Sequence, residues 1–116
     1  MPLFMLQGAY TSESWATQVR NQQNPVDRLR PLAEACAGRL EAVYYAFGDA
    51  DIIVILEAPD DEAAAAFSLA TTARGSLRFV RTTKLLTVEQ GLSAMGRAAD
   101  AGKAYTPPVD SVTSTG

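Results

Sequence analysis

Residues 40–57 read LEAVYYAFGDADIIVILE, and this stretch decides the fold. Apolar residues fill both alternating positions on either side of Gly48, over runs that have the length of β-strands. The connection Gly48-Asp49-Ala50 is short and contains a glycine, as hairpin connections commonly do. The stretch therefore predicts two antiparallel strands, Leu40–Phe47 and Asp51–Glu57.

Two further strands lie outside this hairpin. The segment Leu3–Tyr10 is apolar at both alternating positions, and Leu77–Leu85 begins with apolar and charged residues in alternation. Between each outer strand and the hairpin, apolar residues recur at helical spacing. The order is β-α-β-β-α-β, followed by a short helix that Thr87 caps. This order predicts the α+β class, as a ferredoxin-like sandwich with a four-stranded antiparallel sheet and two helices on one face.

The first helical region begins after the N-cap candidates Thr11 and Ser12, and proline and glycine mark where it is interrupted and where it ends. Asn24-Pro25 interrupts the helix, because the residue before proline is disfavoured in the α region, and also restarts it, because proline is tolerated at the first helical position. Pro31 then predicts either that the helix starts later, near Leu29, or that it is kinked. Gly38 is expected to cap the C-terminus of this helix.

The composition is that of a globular protein, and it excludes several kinds of site. The chain is 47% hydrophobic and 20% charged with a net charge of −3, so neither nucleic acid nor a membrane is an expected partner. It has no histidine, which excludes a His-Asp or Cys-His dyad and the usual imidazole zinc site. Cys36 is the only cysteine and cannot form an intramolecular disulfide. We expect no metal and no cofactor.

The two ends of the chain allow predictions of the location of the protein and of the bounds of its domain. Residues 1–6 lack the positive charge and the longer apolar core of a signal peptide, which favours a cytoplasmic location. Residues 1–97 are predicted to form the domain. Residues 98–116, rich in Ala, Gly, Pro, Ser and Thr, are predicted to be a flexible C-terminal tail. Whether this tail docks on a partner subunit is left open.

Three of the four predicted strands are apolar on both faces. Two helices can cover only one face of an antiparallel sheet, so roughly eight apolar side chains, each worth ~1.5–3 kcal/mol when buried, would remain exposed. Such a patch is larger than a monomer normally leaves in water. The pattern predicts a homodimer or higher homo-oligomer through the sheet face, with each patch pairing to itself. The alternative is that the C-terminal segment folds back over this face.

Residues 44–63, YYAFGDADIIVILEAPDDEA, resemble the core of the GYD-domain family, and a looser similarity extends from Leu3 to about Glu89. Members are small proteins, mostly of unknown function, with a Gly-x-Tyr-Asp motif between two strands. Gly48 and Asp51 match the motif, but Ala50 replaces its tyrosine. The resemblance implies a fold similar to the dimeric α/β-barrel proteins, in agreement with sheet-to-sheet pairing. It implies no established activity.

Seven residues are candidates for a ligand site. Asp51 is either a carboxylate at the mouth of a pocket or a residue that bonds the turn. The aromatic rings carry polar groups and suit a pocket as well as a core or an interface. The arginines would bind an anionic group or, as the alternative, belong to a solvated surface. The set is Asp51, Trp15, Tyr44, Tyr45, Tyr10, Arg20 and Arg81.

Three functions are consistent with the predicted fold and candidate site. The first is an oligomeric module that binds a small organic ligand between sheet and helices, or serves assembly. The second is a cofactor-free enzyme, oxygenase- or isomerase-like, in which Asp51 would be the base. The third is a purely structural subunit. A cavity of at least ~300 Å³ lined by Asp51 and the aromatic residues would favour the first two functions.

Overall fold

A computed structural model describes residues 1–109 of the chain, which divides into two compact units after Leu85. The elements of the first unit are β1 (Leu3–Tyr10), α1 (Ser12–Arg20), α2 (Pro25–Ala35), β2 (Arg39–Tyr45), β3 (Ile52–Glu57), α3 (Asp61–Ala73) and β4 (Leu77–Leu85). The second unit contains α4 (Val88–Ala101) and a short 3₁₀ turn, Gly102–Ala104.

The four strands form one antiparallel sheet in the order β2-β3-β1-β4. In β1 and β3, Phe4 pairs with Leu56 and Leu6 with Val54, so one set of alternating apolar residues shares a face. α2 packs on β2 and α3 packs on β4, over that same face. The α+β class and the ferredoxin-like sandwich are therefore confirmed, with the first helical region divided into α1 and α2.

A side chain caps the N-terminus of each helix of the first unit. The side chains of Thr11, Asn24 and Asp60 accept hydrogen bonds from the backbone N–H groups of Ser14, Val26 and Ala63. These bonds satisfy donors that the first helical turn leaves free. α2 begins at Pro25 and continues through Pro31, so the later start near Leu29 is wrong.

The turn from α2 into β2 differs from the prediction. Ala37, and not Gly38, has the left-handed backbone, with φ of 60°. The N–H of Gly38 donates to the carbonyl of Ala33 at 2.8 Å and closes the end of the helix. Gly38 is needed for another reason: a Cβ atom there would collide with the Glu57 carbonyl oxygen of β3. The glycine permits a close approach between two backbones.

The core lies between the sheet and the helices α2 and α3. Leu56 is 0% exposed and Phe67, from α3, is 1% exposed. On the opposite face of the sheet Met5 pairs with Ile55, and no helix of the Met1–Leu85 unit covers these side chains. Both are only partly buried. The strands β1 and β3 thus carry apolar side chains on both faces, as predicted, with one face packed on helices.

The second unit begins with a capping box. The Thr87 side chain accepts from the N–H of Gln90, and the Gln90 side chain accepts from the N–H of Thr87. α4 continues to Ala101, past the predicted domain end at residue 97. Of the predicted tail, residues 110–116 lie outside the described residues. In residues 1–109, no helix is both long enough and apolar enough to cross a membrane.

Candidate functional site

Asp51 forms hydrogen bonds that connect β1, α1 and the start of β3 at one end of the sheet. Its Oδ2 atom accepts a hydrogen bond from the Tyr10 backbone N–H at 2.9 Å and another from Trp15 Nε1–H at 3.2 Å. Its own N–H donates to the carbonyl of Gly8 at 2.8 Å. The carboxylate therefore fixes the end of β1 and the first turns of α1 against the start of β3.

The aromatic candidates Tyr10, Trp15 and Tyr45 lie together beside Asp51. The rings of Tyr10 and Trp15 meet edge to face with centroids 5.1 Å apart, and the Trp15 and Tyr45 centroids are 6.5 Å apart. Burial raises the pKa of the Tyr10 phenol above its usual value, while the nearby positive charge of Arg28 opposes that shift. The phenol is thus neutral near pH 7 and available as a hydrogen-bond donor or acceptor.

The two aspartates of the hairpin have different surroundings, which gives a direct test of the Asp51 contacts. Asp51→Asn is expected to lower the free energy of unfolding by about 1 kcal/mol, because charge-assisted hydrogen bonds are stronger than neutral ones. It should also change the fluorescence of Trp15, the only tryptophan. Asp49 is exposed, so Asp49→Asn is the matched control and should change neither. Equal effects in urea unfolding would contradict this assignment.

A chamber of about 650 Å³ lies between the sheet and the helices α2 and α3. Its floor includes Gly8, which has no side chain to fill the space, and its α3 wall includes the small residue Ala70. Apolar side chains make up most of the lining. They are Leu6, Leu29, Pro31, Leu32, Ile52, Val54, Phe67, Ala70, Leu77 and Val80.

Polar groups gather where the chamber meets a second, polar cavity of about 560 Å³. Tyr10, Arg28, Arg74 and Ser76 line both cavities, and we call these four residues the rim. Within residues 1–109, neither rim arginine forms an ion pair with a carboxylate. No aspartate or glutamate of that range lines the chamber. The site is an apolar space with positive charge at the rim.

The structure separates the seven sequence candidates. Asp51, Trp15, Tyr10 and Tyr45 cluster, but only Tyr10 lines the chamber. Tyr44 pairs with Ile53 on the sheet face opposite the core. No helix of the Met1–Leu85 unit covers this face, and we call it the uncovered face. Arg20 is exposed in the last turn of α1.

Arg81 also lies away from the chamber. It pairs with Gln7, on the uncovered face, and its guanidinium lies 4.9 Å from the centroid of the Phe79 ring. The rim arginines Arg28 and Arg74 were not among the candidates. No local pattern marks them, since one lies in α2 and the other ends α3, and only helix packing places both in the lining of the same two cavities.

Comparison with solved structures supports the fold. The chain is similar to the crystal structure of MtbAldR, with a TM-score of 0.57 and 19% sequence identity. The similarity covers 74% of this chain and 53% of that one, so this chain spans about half the length of MtbAldR. No curated protein matches the sequence.

The family comparison covers most of the first unit and continues into α4. The model of the GYD domain matches residues 4–95, a range that includes the whole sheet from Phe4 onward and all walls of the chamber. This range also contains the hairpin stretch on which the resemblance was based. The chain belongs to the GYD domain family.

Proposed function

We propose that this protein binds a small, largely apolar organic molecule in the chamber between the sheet and the helices α2 and α3. The observation that carries the proposal is the chamber itself, whose volume of about 650 Å³ is within the usual range for ligand sites, ~300–1,000 Å³. A few polar groups at one end of an apolar cavity are the usual composition of such a site.

Incomplete burial of apolar side chains around the chamber supports this proposal. Leu29 and Leu32 of α2, and Leu77 and Val80 of β4, line the chamber, and each is only partly buried. An apolar ligand would remove their remaining surface from water, with a gain of roughly 25 cal/mol per Å². The chamber thus offers binding energy without a rearrangement of the core.

The enzyme alternative gains no support from Asp51. Its Oδ2 atom already accepts two hydrogen bonds, and Asp51 is not part of the chamber lining. A general base must come within hydrogen-bond distance of the proton that it removes. Binding is therefore the function that this geometry supports best.

Filling the chamber tests the proposal. Ala70 lines the chamber from α3, so Ala70→Phe should weaken binding of the neutral fluorescent probe N-phenyl-1-naphthylamine by about tenfold or more through steric exclusion. Ala65→Phe places the same ring on an exposed position on the other side of the same helix and is the matched control. The measurement is probe fluorescence against protein concentration. Wild-type protein that does not bind the probe, or Ala70→Phe protein that binds it unchanged, would contradict the proposal.

We also propose that the uncovered sheet face is a homodimer interface, occupied by a second copy of this chain. Four strands of 6 to 9 residues give a face of roughly 20 by 25 Å, which supplies the larger part of the ~800 Å² that each partner buries in a standard interface. Its charges have both signs: Arg39 pairs with Glu57 at 3.2 Å, and Arg81 lies on the edge strand β4. Two identical faces can therefore meet without single-sign repulsion.

A charge in the centre of this face should prevent association. Ile55→Lys is expected to convert a dimer of twice 12.4 kDa into a 12.4 kDa monomer, because an unpaired charge is costly to bury. The measurement is light scattering after size exclusion at fixed protein concentration. Ala66→Lys, on the exposed side of α3, is the control and should leave the mass unchanged. A wild-type monomer, or an unchanged mass for Ile55→Lys, would contradict the proposed interface.

A further inference from the structure

We infer that the chamber selects a carboxylic acid with an apolar body, whose carboxylate binds at the rim between Arg28 and Arg74. This inference rests on the proposed binding function and adds the chemical class of the ligand. It follows from where the charged residues lie around the chamber and the rim.

The rim is positive, and its charge is not neutralised inside the chamber. Arg28 donates from Nη1 to the Gln23 side-chain oxygen at 3.3 Å, which is a neutral partner. Arg74 forms no ion pair with any carboxylate in residues 1–109. Both side chains are exposed enough to turn toward a ligand. A guanidinium without an acidic partner is a ready site for a planar carboxylate, which it can bind through two parallel hydrogen bonds.

The remaining rim groups fit the same ligand. The Ser76 hydroxyl and the neutral Tyr10 phenol can each donate a hydrogen bond to a carboxylate oxygen. The only acid that lines either cavity within residues 1–109 is Glu13, in the polar cavity and outside the chamber. Apart from Thr71, the side chains that line the chamber outside the rim are apolar, so a charged group finds its favourable partners at the rim. The ligand is thereby oriented with its anionic end outward.

This orientation excludes two other ligand classes. A cationic ligand would meet two arginines at the entrance and no acid in the chamber. A highly polar molecule such as a sugar would lose hydrogen bonds with water against Leu6, Val54 and Phe67 without replacing them. A neutral apolar molecule would bind, but without the contribution from the rim.

The test compares carboxylates with amides of the same shape. The probes are 4-phenylbutyrate with 4-phenylbutanamide, 2-naphthylacetate with 2-naphthylacetamide, and octanoate with octanamide. Each competes with N-phenyl-1-naphthylamine, which reports occupancy of the chamber without carrying charge. We expect each carboxylate to displace the dye at about tenfold lower concentration than its amide. In the Arg28→Gln/Arg74→Gln double variant this preference should disappear, while the affinity for the neutral dye persists.

Two further variants prevent a folding defect from imitating this result. Arg30→Gln removes an exposed arginine of α2 that lines neither cavity, and it should keep the tenfold preference. Arg28→Glu/Arg74→Glu should reverse the preference, so that 4-phenylbutylamine displaces the dye at lower concentration than 4-phenylbutyrate. A misfolded protein would not gain this new selectivity.

The outcomes separate the two proposals. If dye and amides bind but carboxylates bind no better, the inference about the ligand class is overturned and the binding function remains. If neither the dye nor any amide binds, the binding function itself is overturned. A carboxylate preference that survives in the Arg28→Gln/Arg74→Gln variant would place the anion elsewhere and contradict the rim assignment.

Discussion

Replacing Leu56 with alanine is expected to lower the free energy of unfolding by about 2–5 kcal/mol. Leu56 lies in the inner strand β3 and is 0% exposed. It pairs with Phe4 of the neighbouring strand β1, on the face of the sheet that forms the core. The change removes buried apolar surface and leaves a cavity, because neighbouring side chains relax only in part. A loss of this size is a large fraction of the stability of a small domain.

The control for Leu56 is another leucine. Leu69, on α3, is 69% exposed, so Leu69→Ala removes the same atoms without opening a cavity. Because alanine also has the higher helix propensity, we expect a change within about 0.5 kcal/mol. Urea unfolding followed by circular dichroism measures both variants. A similar loss for Leu56→Ala and Leu69→Ala would contradict the description of the core.

Replacing Gly38 with alanine is expected to cost about 3 kcal/mol, although it adds only one methyl group. That methyl group would overlap the carbonyl oxygen of Glu57. The oxygen belongs to the backbone of β3, so it can move only if the strand moves. Gly38→Ala should therefore lower the midpoint of urea unfolding and separate the end of α2 from β3.

The adjacent residue should respond in the opposite direction. Ala37 has φ of 60°, a backbone region that is costly for a residue with a Cβ atom. Ala37→Gly relieves that cost and is expected to raise the free energy of unfolding by about 0.5 kcal/mol, after subtraction of the greater entropy of glycine in the unfolded chain. If both variants were destabilised equally, the assignment of the left-handed residue to Ala37 would be wrong.

Local patterns predicted most of the secondary structure. β4 runs from Leu77 to Leu85 as expected, while β2 and β3 begin or end one or two residues from their predicted limits. Hairpin ends depend on pairing between strands as well as on local sequence, which explains the small differences. The end of α2 was less predictable, because glycine suits both a helix cap and a close approach between backbones.

The candidate site was predicted only in part. Asp51 and Trp15 were both among the seven candidates, and in the structure they form a hydrogen bond at 3.2 Å. Both side chains lie beside the chamber and not in its lining, because they point toward each other near Tyr10, the last residue of β1. Tyr44 and Tyr45 are neighbours in sequence but lie on opposite faces of the sheet, because side chains alternate along a strand.

The α+β class, the order of elements and the two apolar faces of the sheet could all be predicted from the sequence. These depend on alternation, helical spacing and caps, all of which act over a few residues. That α2 and α3 leave a chamber between them and the sheet, and that Arg28 and Arg74 both line it, follows from the tertiary structure alone. This arrangement depends on how two helices pack on one sheet, and no short-range pattern encodes the space that remains between them.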